Sequence, residues 1–223
     1  MNKLLTTMFA LAVASVTGLY APAAHAQEVK GDAKAGEKKI AMCIGCHGIK
    51  GYQASFPEIY KVPMISGQGA KYIVAALSAY RQGDRKHPTM RSIADSMSDQ
   101  DMADVAAYYA ADGGAAPAAT GKSVEASSKA AELVKKGACV SCHGESFNKP
   151  IDPAYPKIAG QHADYLFVAL KAYKTENNPN VGRANGVMAG VARQFSNAEL
   201  KELSKYVSSL DSELKTVPQA KFR

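Results

Sequence analysis

Apolar residues recur at helical spacing in two stretches: Met102, Val105, Ala106 and Tyr109, then Leu200, Leu203, Tyr206 and Val207. Positions three, four and seven apart share one face of a helix, so each stretch predicts an amphipathic helix with a buried stripe. A start signal precedes both. Ser98-x-x-Asp101 and Ser196-x-x-Glu199 set a hydroxyl three residues ahead of a carboxylate, the second as a capping box. Middle helices are predicted from about Ala70 to Gln82, stopped by Gly83, and from about His162 to Lys174. Opening helices follow Asp32, running into Cys43, and Ser127 or Ser128, running to Cys139. No clear run of strand-like alternation appears, so the expected fold is all-α with long loops.

The pattern appears twice because the sequence repeats. Pro63-Met64-Ile65-Ser66-Gly67-Gln68, Tyr72, Leu77 and Tyr80 match Pro156-Lys157-Ile158-Ala159-Gly160-Gln161, Tyr165, Leu170 and Tyr173 at one offset of 93 residues. Met90 and Ser98 match Met188 and Ser196 at an offset of 98, so the length differences fall in loops. The Gly/Ala/Pro-rich stretch after Asp112 lacks helical period and reads as an exposed linker. The expected organisation is therefore a domain over 27–112, a linker over 113–125 and a second domain over 126–223.

Residues 1–26 read as a cleaved secretory signal peptide: Lys3, an apolar stretch from Leu4 to Leu19, and the small-x-small site Ala24-His25-Ala26. The apolar run is short and interrupted by Thr6, Thr7, Ser15 and Thr17, which argues against a retained anchor. The mature chain is expected to begin at Gln27 and to be soluble in the bacterial periplasm.

Candidate chemistry sits in Cys43-Ile44-Gly45-Cys46-His47 and Cys139-Val140-Ser141-Cys142-His143, which use all four cysteines of the protein. This spacing is the attachment signature of c-type haem. Each thiol forms a thioether with a vinyl group of one porphyrin, and the adjacent His sits under the iron. A zinc site would need the two pairs to converge, and a thioredoxin-like dithiol would need a βαβ pattern that is not found. Two covalent haem c groups, with their iron, are therefore expected. The halves are small enough for a flat apolar cofactor to complete each core.

The opposite axial ligand follows by exclusion in the second half, where Met188 is the only methionine after Cys139, placed in the loop before the last helix. In the first half Met90 holds the equivalent place, eight residues before the serine cap. Met64, Met97 and Met102 lack that correspondence. His87 and His162 are rival ligands, but neither has a histidine equivalent, and a helix-end or solvent-facing role suits both better. Six-coordinate His–Met iron leaves no vacancy for substrate, and the soft thioether favours the ferrous state, so electron transfer is expected rather than catalysis. Pro63 and Pro156 suit an orienting role, their carbonyls accepting from His47 and His143.

These residues, over essentially all of the mature chain, resemble the two-haem cytochrome c4 family, tandem class I cytochrome c domains each wrapped around one haem. The resemblance implies a periplasmic carrier, loosely membrane-associated, passing electrons toward a terminal oxidase. It implies His47 with Met90 and His143 with Met188 as iron ligands, and haem propionates near the face between the domains. The longer Tyr173–Met188 loop and the Phe56-Pro57-Glu58-Ile59-Tyr60 insertion make the two pockets unequal.

Charge adds one point. Without Lys3 the chain carries about +6, and splitting at Asp112 sets 11 basic against 10 acidic residues in the first half and 15 against 10 in the second. Scattered basic residues on an exported chain do not suggest nucleic acid. They suggest that the second lobe, through lysines such as Lys171, Lys174 and Lys201, meets acidic docking surfaces on redox protein partners. No small-molecule substrate is expected. The alternatives are the haem subunit of a dehydrogenase complex and, less favoured, a two-haem enzyme such as a peroxidase, which would need an open iron.

Overall fold

The computed structural model describes residues 29–112 and 125–218, so the signal segment and nearly all of the linker expected from sequence lie outside the described residues. The chain is mostly helical, with only two-residue strands, in keeping with the all-α expectation.

The opening helix of the first half is not continuous into Cys43. It breaks into α1 (Ala33–Glu37) and α2 (Ala41–His47). Helix α1 lies close against α5 (Asp99–Asp112): a Cβ on Gly36 would lie 2.1 Å from the Asp104 carbonyl oxygen, so only glycine fits there. The turn after α1 then leads into α2, which carries Cys43 and Cys46. Between these helices and α5 come the antiparallel strands β1 (Gln53–Ala54) and β2 (Tyr60–Lys61), then α3 (Ala70–Gln82), β3 (Arg85–Lys86) and α4 (Pro88–Asp95). Gly83 ends α3 at φ 84°, as its position implied.

The second half repeats the plan. Its opening helix also breaks, after α6 (Ser128–Lys136, capped by Ser127), with Ala138 at φ 47° before α7 (Val140–His143). Then follow α8 (Ala163–Ala172), two residues shorter at its end than expected, β4 (Gly182–Arg183), α9 (Gly186–Arg193) and α10 (Asn197–Ser209). Ser196 and Glu199 form the reciprocal capping box on α10, and Ser98 with Asp101 makes the same exchange ahead of α5.

Met90 and Met188 are not in loops, as the sequence suggested, but on the short helices α4 and α9. Eight residues show too little periodicity to be recognised by pattern. Their caps are informative. His87 Nδ1 accepts from the Met90 N–H and Asn185 Oδ1 from the Met188 N–H, at 3.3 and 3.0 Å, so each helix start is fixed one turn from its methionine.

Each half has its own core. Ile40, Ile44, Ile73, Leu77, Met102 and Val105 anchor the first; Leu133, Phe195, Leu200 and Leu203 anchor a smaller second. The halves meet through equivalent surfaces. Strands β3 and β4 pair antiparallel with Arg85 opposite Arg183, and Lys61 pairs with Asp164 and Lys171 with Glu58. Like meeting like makes the interface pseudo-two-fold, as in a symmetric dimer.

Candidate functional site

Helix α2 carries Cys43 and Cys46 one turn apart and ends at His47; in the second half Cys139 directly precedes α7, which holds Cys142 and ends at His143. The His47 Nδ1–H donates to the Pro63 carbonyl at 2.8 Å and the His143 Nδ1–H to the Pro156 carbonyl at 3.0 Å. A carbonyl only accepts, so these bonds fix the tautomer and leave Nε2 as the nitrogen with a free lone pair. Burial pushes both imidazoles below the usual histidine range, against the opposing pull of the proline carbonyls. Neutral, oriented imidazoles are what an iron ligand requires.

Two alternatives weaken here. Burial raises the Cys43 thiol to about 11 and lifts Cys139 as well, the reverse of a reactive dithiol. Among the described residues no three His, Cys, Asp or Glu side chains converge to hold a metal, as zinc would need.

Cys43, Cys46, His47, Pro63 and Met90 line the same continuous cavity of about 660 Å³ as Cys139, Cys142, His143, Pro156 and Met188. Its remaining walls are largely apolar, including Ile65, Leu77, Ile158 and Leu170. The rival histidines stand apart. His87 lines the cavity, but both ring nitrogens are engaged: Nδ1 accepts at the cap, so Nε2 donates to the Tyr60 hydroxyl at 3.0 Å. His162 is at the start of α8 and does not line the cavity.

The sequence reading missed Arg85 and Arg183. They match at the same offset of 98 that relates the methionines, and that correspondence was the available signal. In the fold they face each other across β3 and β4 at the rim of the cavity. Arg85 donates to the Tyr72 and Tyr165 hydroxyls at 3.2 and 2.8 Å, and Arg183 to Tyr165 at 3.1 Å. Burial works against the charge on Arg85, but the surrounding Tyr72, Tyr80, Tyr165 and Tyr173 hydroxyls more than offset it. Among the described residues neither arginine forms an ion pair, and the buried Nε of Arg85 has no hydrogen-bond partner. Two desolvated guanidiniums without a carboxylate call for an anion. The propionates of a porphyrin supply that charge, so the cavity fits the group in polarity as well as in its apolar walls.

A helical tandem in which each half presents two cysteines, a carbonyl-oriented histidine and a methionine to one cavity defines a protein that binds haem covalently twice. The cytochrome c family matches residues 33–110 and 127–211. A cytochrome c4 of Azotobacter vinelandii is 33% identical over 94% of this chain and 100% of its own length. The thiosulfate dehydrogenase electron acceptor of Stutzerimonas stutzeri is 30% identical over 88% of this chain and 91% of its own. The solved structure of reduced cytochrome c4 from Pseudomonas stutzeri superposes with a TM-score of 0.59 at 29% identity, covering 81% of this chain and 99% of that one. The chain belongs to the cytochrome c family, in its two-haem cytochrome c4 branch. It carries two covalent haem c groups and is an electron-transfer cytochrome rather than an enzyme.

Proposed function

We propose that His47 with Met90 and His143 with Met188 hold the two irons, that Cys43, Cys46, Cys139 and Cys142 form the thioethers, and that the chain relays electrons singly between periplasmic respiratory proteins. The domain limits proposed with this reading are 27–112 and 126–223. The observation that carries it is the one cavity lined by both ligand sets. Haem supplies a one-electron iron couple. The protein's part is to orient His47 and His143 through proline carbonyls, to bring a thioether from α4 and α9, and to exclude water with apolar walls. Export follows from Ala24-His25-Ala26, and among the described residues no helix is long and apolar enough to cross a membrane.

The leading acceptor is a terminal oxidase. A second reading, as acceptor for a dehydrogenase, is favoured by the likeness to the thiosulfate dehydrogenase electron acceptor. Docking by the basic second lobe needs one revision. Lys171 is paired with Glu58 across the interface, which offsets its charge, whereas Lys174 donates to the Phe195 carbonyl, a neutral acceptor that holds the ammonium in place and leaves its charge intact. Lys201 and Lys205 on α10, and Lys129 and Lys135 beside it on α6, are exposed and form no ion pair among the described residues. These are the charges that meet an acidic partner.

Carbon monoxide titration of the ferrous protein tests the ligand assignment. Two haems per chain by pyridine haemochrome, low-spin spectra and no carbon monoxide binding are expected. Ready binding in the as-isolated protein overturns the assignment.

A further inference from the structure

Gln68 and Gln161 close the Pro-x-Ile-x-Gly-Gln string of each half, and haem attachment assigns them no role. Both are buried, at 4% exposure each. Each reaches into the other half. Gln161 Oε1 accepts from the Met64 N–H at 3.1 Å while its Nε2 donates to the Met64 carbonyl at 2.9 Å. Gln68 does the same to Lys157, at 2.9 and 3.0 Å. Each Oε1 also accepts the N–H of its own next residue, Gly69 or His162, at 3.0 Å. Only an oxygen satisfies two N–H donors, so the amide orientation is fixed by chemistry. Gly67 and Gly160, at φ 87° and 64°, make the left-handed turn that sends each glutamine across, tied by their N–H groups to the Tyr109 and Val207 carbonyls.

The Met64 N–H and the Pro63 carbonyl belong to one planar peptide unit. The carbonyl side of that unit accepts from His47, and the N–H side donates to Gln161. The peptide between Pro156 and Lys157 likewise joins His143 to Gln68. Hydrogen bonds in a chain polarise one another. An acceptor on the N–H side therefore makes the carbonyl a stronger acceptor for the histidine, and a stronger bond at Nδ1 makes Nε2 a better donor to metal. We propose that each glutamine is a positioning residue for the haem of the opposite half: Gln161 acts on the iron held by His47, and Gln68 on the iron held by His143. This rests on the axial-ligand reading above. It also explains the whole motif. Proline serves its own histidine, the next peptide receives the partner's glutamine, isoleucine lines the cavity, and glycine makes the turn.

The test uses the full-length holoprotein with Gln161→Met and Gln68→Met, which keep side-chain length and remove all three hydrogen bonds of each amide, two of them across to the other half. The midpoint potential of each haem is followed through its own hyperfine-shifted NMR resonances. Weaker donation from the histidine destabilises ferric iron. Gln161→Met is therefore expected to raise the potential of the His47 haem alone, and Gln68→Met that of the His143 haem alone. A shift in the glutamine's own half, an equal shift of both haems as from a loosened interface, or no shift overturns the proposal. In the unmodified protein the Met64 and Lys157 amides are expected to resist hydrogen exchange, and rapid exchange of either overturns it without any variant. Carbon monoxide binding by the parent protein would remove the axial-ligand reading and this inference with it, and the optical spectrum reports that separately from the potentials.

Discussion

The first half locks its opening helix to its closing helix around a buried carboxylate, and the second makes the same contact mainly with apolar side chains, with a longer Lys136–Glu199 ion pair at 3.8 Å beside them. In the first, the Asp104 carboxylate accepts from the Asp32 N–H, Lys39 Nζ and Gln100 Nε2 at 2.7 to 2.8 Å, with its side chain only 4% exposed. In the second, α6 and α10 pack through Leu133, Leu200 and Leu203 beside Phe195, with Lys136 over the Phe195 ring. The caps of the methionine helices differ in the same spirit, His87 in one and Asn185 in the other. What the two positions share is an acceptor atom at the right place, and the residue that supplies it is free to vary. The attachment residues show no such freedom: cysteines, histidines, prolines and methionines recur in both halves.

The sharpest way to separate the halves is to open one iron. Met188→Ala is expected to let the second half bind carbon monoxide and to lower its potential by more than about 59 mV, a tenfold change in a one-electron equilibrium. The haem of the first half should keep its spectrum, and Met90→Ala should do the converse; optical titration checks both.

Next in size, Asp104→Asn should destabilise the first half alone by about 1–3 kcal/mol, the range for weakened hydrogen bonds to a buried charged group, as read from denaturant unfolding followed at each haem. Lys39 holds both Asp101 and Asp104 below the usual carboxylate range. A depressed folded value stabilises the fold above the ordinary carboxylate range near ~4, and that contribution is lost as pH falls through the lower folded value. Acid should therefore loosen the Lys39 contact of the first half, and the effect should be reduced in Asp104→Asn, where only Asp101 still pairs with Lys39.

Arg85→Gln probes the element that the halves share. Removing the half-buried positive charge of Arg85 beside both pockets favours oxidised iron, so both potentials should fall together, by up to about 59 mV or ~1.4 kcal/mol. A fall confined to one haem would break the symmetry argument. The smallest effect belongs to the surface. Neutralising Lys201 and Lys205 should slow association with an acidic partner roughly twofold at low salt and flatten its salt dependence. Neutralising the exposed Lys34 and Lys38 should leave the rate unchanged, and stopped-flow measurements against ionic strength compare the two.

Much of this was legible before any fold was known. Ser98 and Ser196 announced the closing helices, Gly83 the end of α3, and the paired offsets tied Met90 to Met188. Short helices were not legible, because eight residues hold little more than two turns of pattern. Nor were the break before Cys43 and the close approach of Gly36 to the Asp104 backbone, a contact between segments 68 residues apart in sequence.

The sequence by itself determined the two haem-attachment motifs, the histidine and methionine proposed to serve each, and that one plan is used twice. Those facts live in spacings of a few residues, where covalent geometry and helix period leave little choice. Tertiary structure alone decided that Arg85 faces Arg183 with no counter-charge among the described residues, that Lys171 spends its charge on Glu58, and that each glutamine reaches the other half's histidine peptide. Such relations depend on desolvation and on contacts between distant segments, and they come into being only when the two halves close on each other.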